Sequence, residues 1–100
     1  MQQLVKKRTS VSAGEFPKLV KANWPLGQIT VCDDRFVLDA VSEKFTLLFT
    51  DVDYVDILPG QVNFYHHNTD VPKDIGVNGL FIARILRKAI GELGLPVRVK

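Results

Sequence analysis

The chain has 100 residues, 46% of them apolar and 24% charged, with a formal net charge of +2. That composition gives one domain with a single core, and excludes a disordered or low-complexity chain. So small a net charge argues against nucleic acid as a partner. The longest strongly apolar runs, 80–83 and 47–49, fall far short of the roughly 20 residues that cross a bilayer as a helix.

The first residues, Met1 to Arg8, carry charges with no apolar stretch behind them, so they do not read as a secretory signal. The lone Cys32 has no partner for an internal disulfide and suits a reducing compartment. The expected location is cytoplasmic, with a peripheral membrane position left open. Residues 1–100 are expected to form one domain. Charge is segregated along it. Residues 1–21 hold Lys6, Lys7, Arg8, Lys18 and Lys21 against Glu15, a balance of +4, and residues 80–100 hold Arg84, Arg87, Lys88, Arg98 and Lys100 against Glu92, again +4. The middle, 22–79, is left at −6. If the two basic ends converge in space they form one cationic face; if not, the patch dissolves.

In chain order, the N-terminal third is ambiguous: 4–11 reads as a strand, while 15–21 reads as a short helical turn with Pro17 early and Phe16, Leu19 and Val20 inward. Residues 28–68 then read as an antiparallel meander. Ile29 and Val31 share one face, as do Phe36 and Leu38, and then Phe45, Leu47 and Phe49; Asp33-Asp34 and Ser42-Glu43 are the breaks. Tyr54 to Leu58 continues as a strand. Leu58-Pro59-Gly60-Gln61 places Pro and Gly at the two central positions of a type II turn, and 62–67 returns as the next strand.

Pro72, Gly76 and Gly79 make 69–79 a loop that holds one short strand near 74–77. Asn78 is the expected helix cap. From Gly79 to Leu93 the residues Ile82, Ile85, Leu86, Ala89, Ile90 and Leu93 recur every three or four positions, which predicts an amphipathic helix. Gly94 stands where a left-handed cap ends such a helix, and Pro96 prevents its continuation.

The expected fold is therefore mainly β, an α+β arrangement in which six or seven antiparallel strands are covered by one C-terminal helix. The run Trp24-Pro25-Leu26-Gly27-Gln28-Ile29-Thr30-Val31, then Arg35 to Leu38, then Phe45 to Val52, with the helix 80–93 closing it, resembles pleckstrin-homology-like domains, including the GRAM type and bacterial relatives. That resemblance spans about three-quarters of the chain by element order and carries no diagnostic motif. It implies a partly open barrel and a non-catalytic module binding phospholipid or protein. Phosphoinositide-binding members carry a basic run between the first two strands. Here that connection offers only Lys18 and Lys21, so inositol-phosphate binding is not implied.

Several residue groups invite chemistry. Leu47 to Val55, an apolar strand ending in Asp51 and Asp53, looks like the first motif of haloacid-dehalogenase-like phosphatases, whose first aspartate attacks phosphorus beside magnesium. Those enzymes need a parallel α/β sheet, and the turn signals downstream are antiparallel. His66, His67 and Asp70 offer metal-ligating types, but neighbours on a strand point to opposite faces. Asp33 and Asp34 would raise the Cys32 thiol pKa and disfavour a nucleophile. Residues 76–79 before the helix form a weak candidate for an anion-binding N-terminus. Trp24, with Lys18 and Lys21 interleaved nearby, suits a membrane surface or a partner, yet a domain this small needs its aromatics inside, and Trp24 is expected to close the core.

The reading is a non-enzymatic binding module without metal or cofactor, for a protein partner or anionic phospholipid head groups. Its candidate contacts are Lys6, Lys7, Arg8, Lys18, Lys21, Arg84, Arg87 and Lys88. A structural or homo-oligomerising domain is the alternative, and a metal-dependent phosphatase centred on Asp51 and Asp53 ranks below both.

Overall fold

A computed structural model describes residues 3–14, 18–79 and 81–100. The described elements are β1 (Gln3–Ala13), β2 (Val20–Cys32), β3 (Arg35–Asp39), β4 (Lys44–Leu48), a 3-10 turn (Phe49–Asp51), β5 (Val52–Leu58), β6 (Gln61–His66), β7 (Ile75–Asn78) and α1 (Ile82–Glu92). All seven strands join one antiparallel sheet in the order β4-β3-β2-β1-β7-β6-β5. Two meanders, β1 to β4 and β5 to β7, are thus joined by a pairing that local sequence does not announce: Ser10 to Ala13 of β1 against Asn78 to Ile75 of β7.

Alternation decides which face is inward. Ile29 and Val31 of β2, Phe36 and Leu38 of β3, and Phe45 and Leu47 of β4 are buried, as the period-two pattern expects. Phe49 is buried too, although it belongs to the 3-10 turn after β4. Val55, Ile57, Val62, Phe64, Ile75 and Val77 complete the sheet's contribution, and α1 adds Ile82, Leu86, Ala89 and Ile90. Ile85 is half-buried. Leu93, expected on the same stripe, is exposed, because the helix has ended by then.

The turns follow their chemistry. Gly60 has φ 72°, the left-handed value that the second central position of the Pro59-Gly60 turn requires. At the other end of α1, Gly94 has φ 61° and the Leu95 amide donates to the Ile90 carbonyl at 3.1 Å, the Schellman closure. The β3–β4 connection is tighter. The Ser42 amide donates to the Ala40 carbonyl at 2.7 Å across Val41, whose φ is 68°, a three-residue turn of the rare, strained kind.

Three expectations are corrected. Residues 75–78 form β7 and not a loop poised for anions; a Cβ on Gly76 would stand 2.7 Å from the Val62 carbonyl oxygen. Asn78 pairs with Ser10 and Gln61 at the end of β7, and the residue before α1 is Phe81, which makes no side-chain cap. Lys18 and Leu19 are exposed and the strand resumes at Val20, so no helical turn is seen there; Glu15, Phe16 and Pro17 lie outside the described residues.

Candidate functional site

The β1–β2 hairpin is regular except at one place. Thr9 pairs with Gly27, but Val11 pairs with Ala22, so two steps along β1 face five along β2. The surplus chain, Asn23 to Leu26, is lifted out of the ladder as a wide bulge. Gly27 holds its neck: a Cβ there would stand 2.5 Å from the Thr9 carbonyl oxygen and 3.1 Å from that of Ala22. Only glycine lets the two strands approach so closely. The bulge is tied down from β1, because the Ser10 hydroxyl accepts the Trp24 amide at 2.8 Å and the Arg8 guanidinium donates to the Pro25 carbonyl at 3.3 Å.

The bulge places its apolar side chains in solvent. Trp24 is 64% exposed and Leu26 is 66% exposed, which corrects the expectation that Trp24 closes the core. Phe81, at the start of α1, is 64% exposed as well. Its φ of 69° is left-handed, a conformation costing a non-glycine residue roughly 1–2 kcal/mol.

Trp24 and Phe81 line one groove of about 350 Å³, together with Lys7, Arg8, Thr9 and Gly79. Thr9 is buried, and its hydroxyl donates to the Asn78 carbonyl at 2.8 Å, joining β1 to the end of β7 beneath the groove. None of these lining residues is acidic. Lys7 and Arg8 of β1 thus lie beside Phe81, the residue that opens α1, while no cation of the C-terminal segment lines the groove. Arg84, Arg87 and Lys88 lie exposed on α1 beyond it.

The remaining candidate cations are dispersed. Lys6 lines a separate polar groove on the outer sheet face with Gln28, Thr30, Arg35 and Lys44. There Arg35 is paired with Asp34 through two contacts of 2.9 and 2.8 Å, which hold the Asp34 carboxyl below its usual range and push the Arg35 guanidinium up. Lys18 and Lys21 are exposed at the far end of the hairpin. Arg98 and Lys100 belong to the C-terminal tail, which runs along β5 through Val55 and sets the Lys100 ammonium 5.3 Å from the centre of the Tyr54 ring.

The other groups are engaged structurally. Asp51 accepts the Leu48 amide at 3.0 Å and the Asn68 side chain at 3.1 Å, fastening the 3-10 turn to the chain after β6. Asp53 contacts His67 at 2.9 Å. His66 accepts the Asn68 amide on Nδ1 at 3.1 Å, so its Nε2 carries the proton given to the Pro72 carbonyl at 2.9 Å. The two histidines thus have different partners, and Asp70 gives its amide to the Asn68 side chain. Among the described residues no three His, Cys, Asp or Glu side chains gather as a metal group. Burial, more than the adjacent Asp34, pushes the Cys32 thiol up.

No family model matches the chain, and no curated protein matches it. Among solved structures it is similar to the crystal structure of the C-terminal domain of an unknown protein from Leishmania infantum. That similarity has a TM-score of 0.62 at 8% identity, over 91% of this chain and 83% of that chain. It is a likeness of fold. No helix among the described residues is long and apolar enough to cross a membrane.

Proposed function

We propose that the chain is a non-catalytic binding module of pleckstrin-homology-like type, which docks an anionic partner surface through the groove between Trp24 and Phe81. The observation carrying this reading is that two large aromatic side chains, one on a strained backbone, line a solvent-open groove with Lys7 and Arg8. Aromatic and arginine side chains at a concave surface are the groups that dominate binding energy when buried by a partner. Seven strands followed by one helix support the family part of the reading.

The test is cell fractionation of the chain carrying Trp24→Ala and Phe81→Ala together. The wild-type chain is expected partly in a membrane or high-mass pool, and the double variant in the free monomer pool. Equal distribution of the two contradicts the reading.

Oligomerisation through β4 is a second reading, because β4 ends the sheet while the opposite edge, β5, is bridged by Val99. A strand edge with open backbone groups pairs readily with another copy. Light scattering that finds a strict monomer at high concentration removes it.

A further inference from the structure

We infer that the groove is the vacant lane of a sheet strand, and that its occupant is an extended acidic peptide segment that adds to β1 beside residues 5–9. The inference rests on the docking reading above and names both the partner and the way it is held.

The lane follows from where β7 ends. β7 pairs with β1 only along Ser10 to Ala13, and the Gly79 amide just past it donates away from β1, to the Gly60 carbonyl at 3.1 Å. β1 itself runs on to Gln3 with β2 as its one strand neighbour. The groove opens where β7 would have continued, since Gly79 stands at its head and Lys7, Arg8 and Thr9 along its side. Val5 to Thr9 give it a length of about 17 Å, room for about five extended residues.

Backbone groups face into that lane. Successive residues of a strand turn their amide and carbonyl to opposite sides. The Gly14 amide donates to the Asp74 carbonyl at 2.7 Å, so the even-numbered residues of β1 face β7. The outward turn of Gly79 agrees, because it leaves Asn78 and Gly76 facing β1. Continued past Ser10, the alternation turns the backbone of Arg8 and Lys6 into the lane, where no strand among the described residues pairs with them. An open strand edge beside a groove is what holds an extended peptide. The same sheet shows such an edge filled at β5, where the Val55 amide donates to the Arg98 carbonyl at 2.8 Å and the Lys100 amide to the Val55 carbonyl at 2.9 Å. β2 is also unpaired on its β3 side before Gln28, but there the bulge at 23–26 breaks the ladder after Ala22.

Charge selects the segment. Lys6, Lys7 and Arg8 follow one another along this edge, and no acidic side chain lines the groove. Two copies meeting here edge to edge would set like charges opposite each other, which disfavours self-pairing. An acidic strand meets opposite charges instead. Trp24 and Phe81, both exposed at the walls, are placed to cover an apolar side chain of the segment.

Trp24 is the sole tryptophan of the chain, so its emission reports the groove directly. The purified full chain is titrated with an acetylated and amidated peptide of about six residues, glutamate and valine alternating. A saturable blue shift that weakens as salt is raised is expected, and none with the lysine–valine counterpart. Two further peptides carry N-methyl groups on alternate amides, one in each phase. The phase that blocks the lane-facing amides abolishes binding and the other keeps it. Lys6→Pro removes an amide that the β1–β2 ladder does not use, so affinity falls about fivefold while thermal unfolding stays cooperative. Lys7→Glu with Arg8→Glu lowers affinity at least about tenfold.

Emission unchanged by the acidic peptide at low ionic strength overturns the inference. So does equal binding of both N-methylated peptides, which would mean that side chains alone hold the segment. If the peptide fails while anionic vesicles shift the emission, or while the cellular pool still depends on Trp24 and Phe81, strand addition falls and the docking reading stands. If the pool does not depend on them either, docking itself falls.

Discussion

Two groups of aromatic side chains in this molecule behave in opposite ways. Phe36 sits in the interior with its ring centre 5.0 Å from that of Phe49 and 5.1 Å from that of Phe64, both tilted. Trp24 and Phe81 lie outside, each 64% exposed, around a groove lined by cations. The first group holds the two meanders together, since Phe36 belongs to β3 and Phe64 to β6. The second lies outside the buried core. On the proposed reading, stability and binding fall to separate rings, and substitutions can pull them apart.

The largest effect belongs to the interior. Phe36→Ala is expected to cost about 3–5 kcal/mol, the usual penalty for truncating a buried phenylalanine; a denaturant titration that finds less than about 1 kcal/mol would place the core elsewhere. Next comes Gly27→Ala, whose Cβ would meet the Thr9 carbonyl oxygen at 2.5 Å. Strand separation at the neck is expected to cost roughly 1–3 kcal/mol, and it should also misplace the bulge, so binding falls along with the melting temperature. Trp24→Ala sharpens the contrast, with stability expected within about 0.5 kcal/mol of wild type, as for other exposed positions, and binding lost.

The smallest effect is electrostatic. Arg35 holds Asp34 ionised below its ordinary range, so the folded carboxyl has the lower pKa. Its contribution is complete above the unfolded value of about 3.9 and disappears as pH falls through the folded one. The melting-temperature gap between wild type and Asp34→Asn should close under acid. Both side chains are partly exposed, so the gap is expected to be modest even at neutral pH. A gap that widens on acidification would show that the pair does not behave this way.

Much of the core was legible in the sequence because β3, β4 and residues 28–31 of β2 alternate between buried and less buried positions and α1 keeps a three-four stripe. Ile29 and Val31, Phe36 and Leu38, Ile82 and Leu86 could be placed before any coordinates. The same holds for Gly60 and Gly94, where left-handed backbone is required. Trp24 was not legible. The expectation that a small core needs its aromatics inside was met by Phe36, Phe49 and Phe64 instead. The bulge that exports Trp24 depends on a register set across two strands, not on its own residues. Asn78 had the right chemistry for a cap, but its ladder partners on β1 and β6 claimed it. The meeting of Lys7 and Arg8 with Phe81 follows from the β1–β7 pairing, a contact between residues more than sixty positions apart that no local pattern encodes. The left-handed Phe81 carries no sequence signal at all.

That residue offers the most direct test of the separation between folding and binding. Phe81→Gly removes the ring and relieves the φ of 69°, so stability should rise by about 1 kcal/mol, with a higher melting temperature, while docking weakens. A variant that melts lower than wild type would mean that Phe81 serves the fold, and the separation drawn between the inner and outer aromatic rings would be wrong.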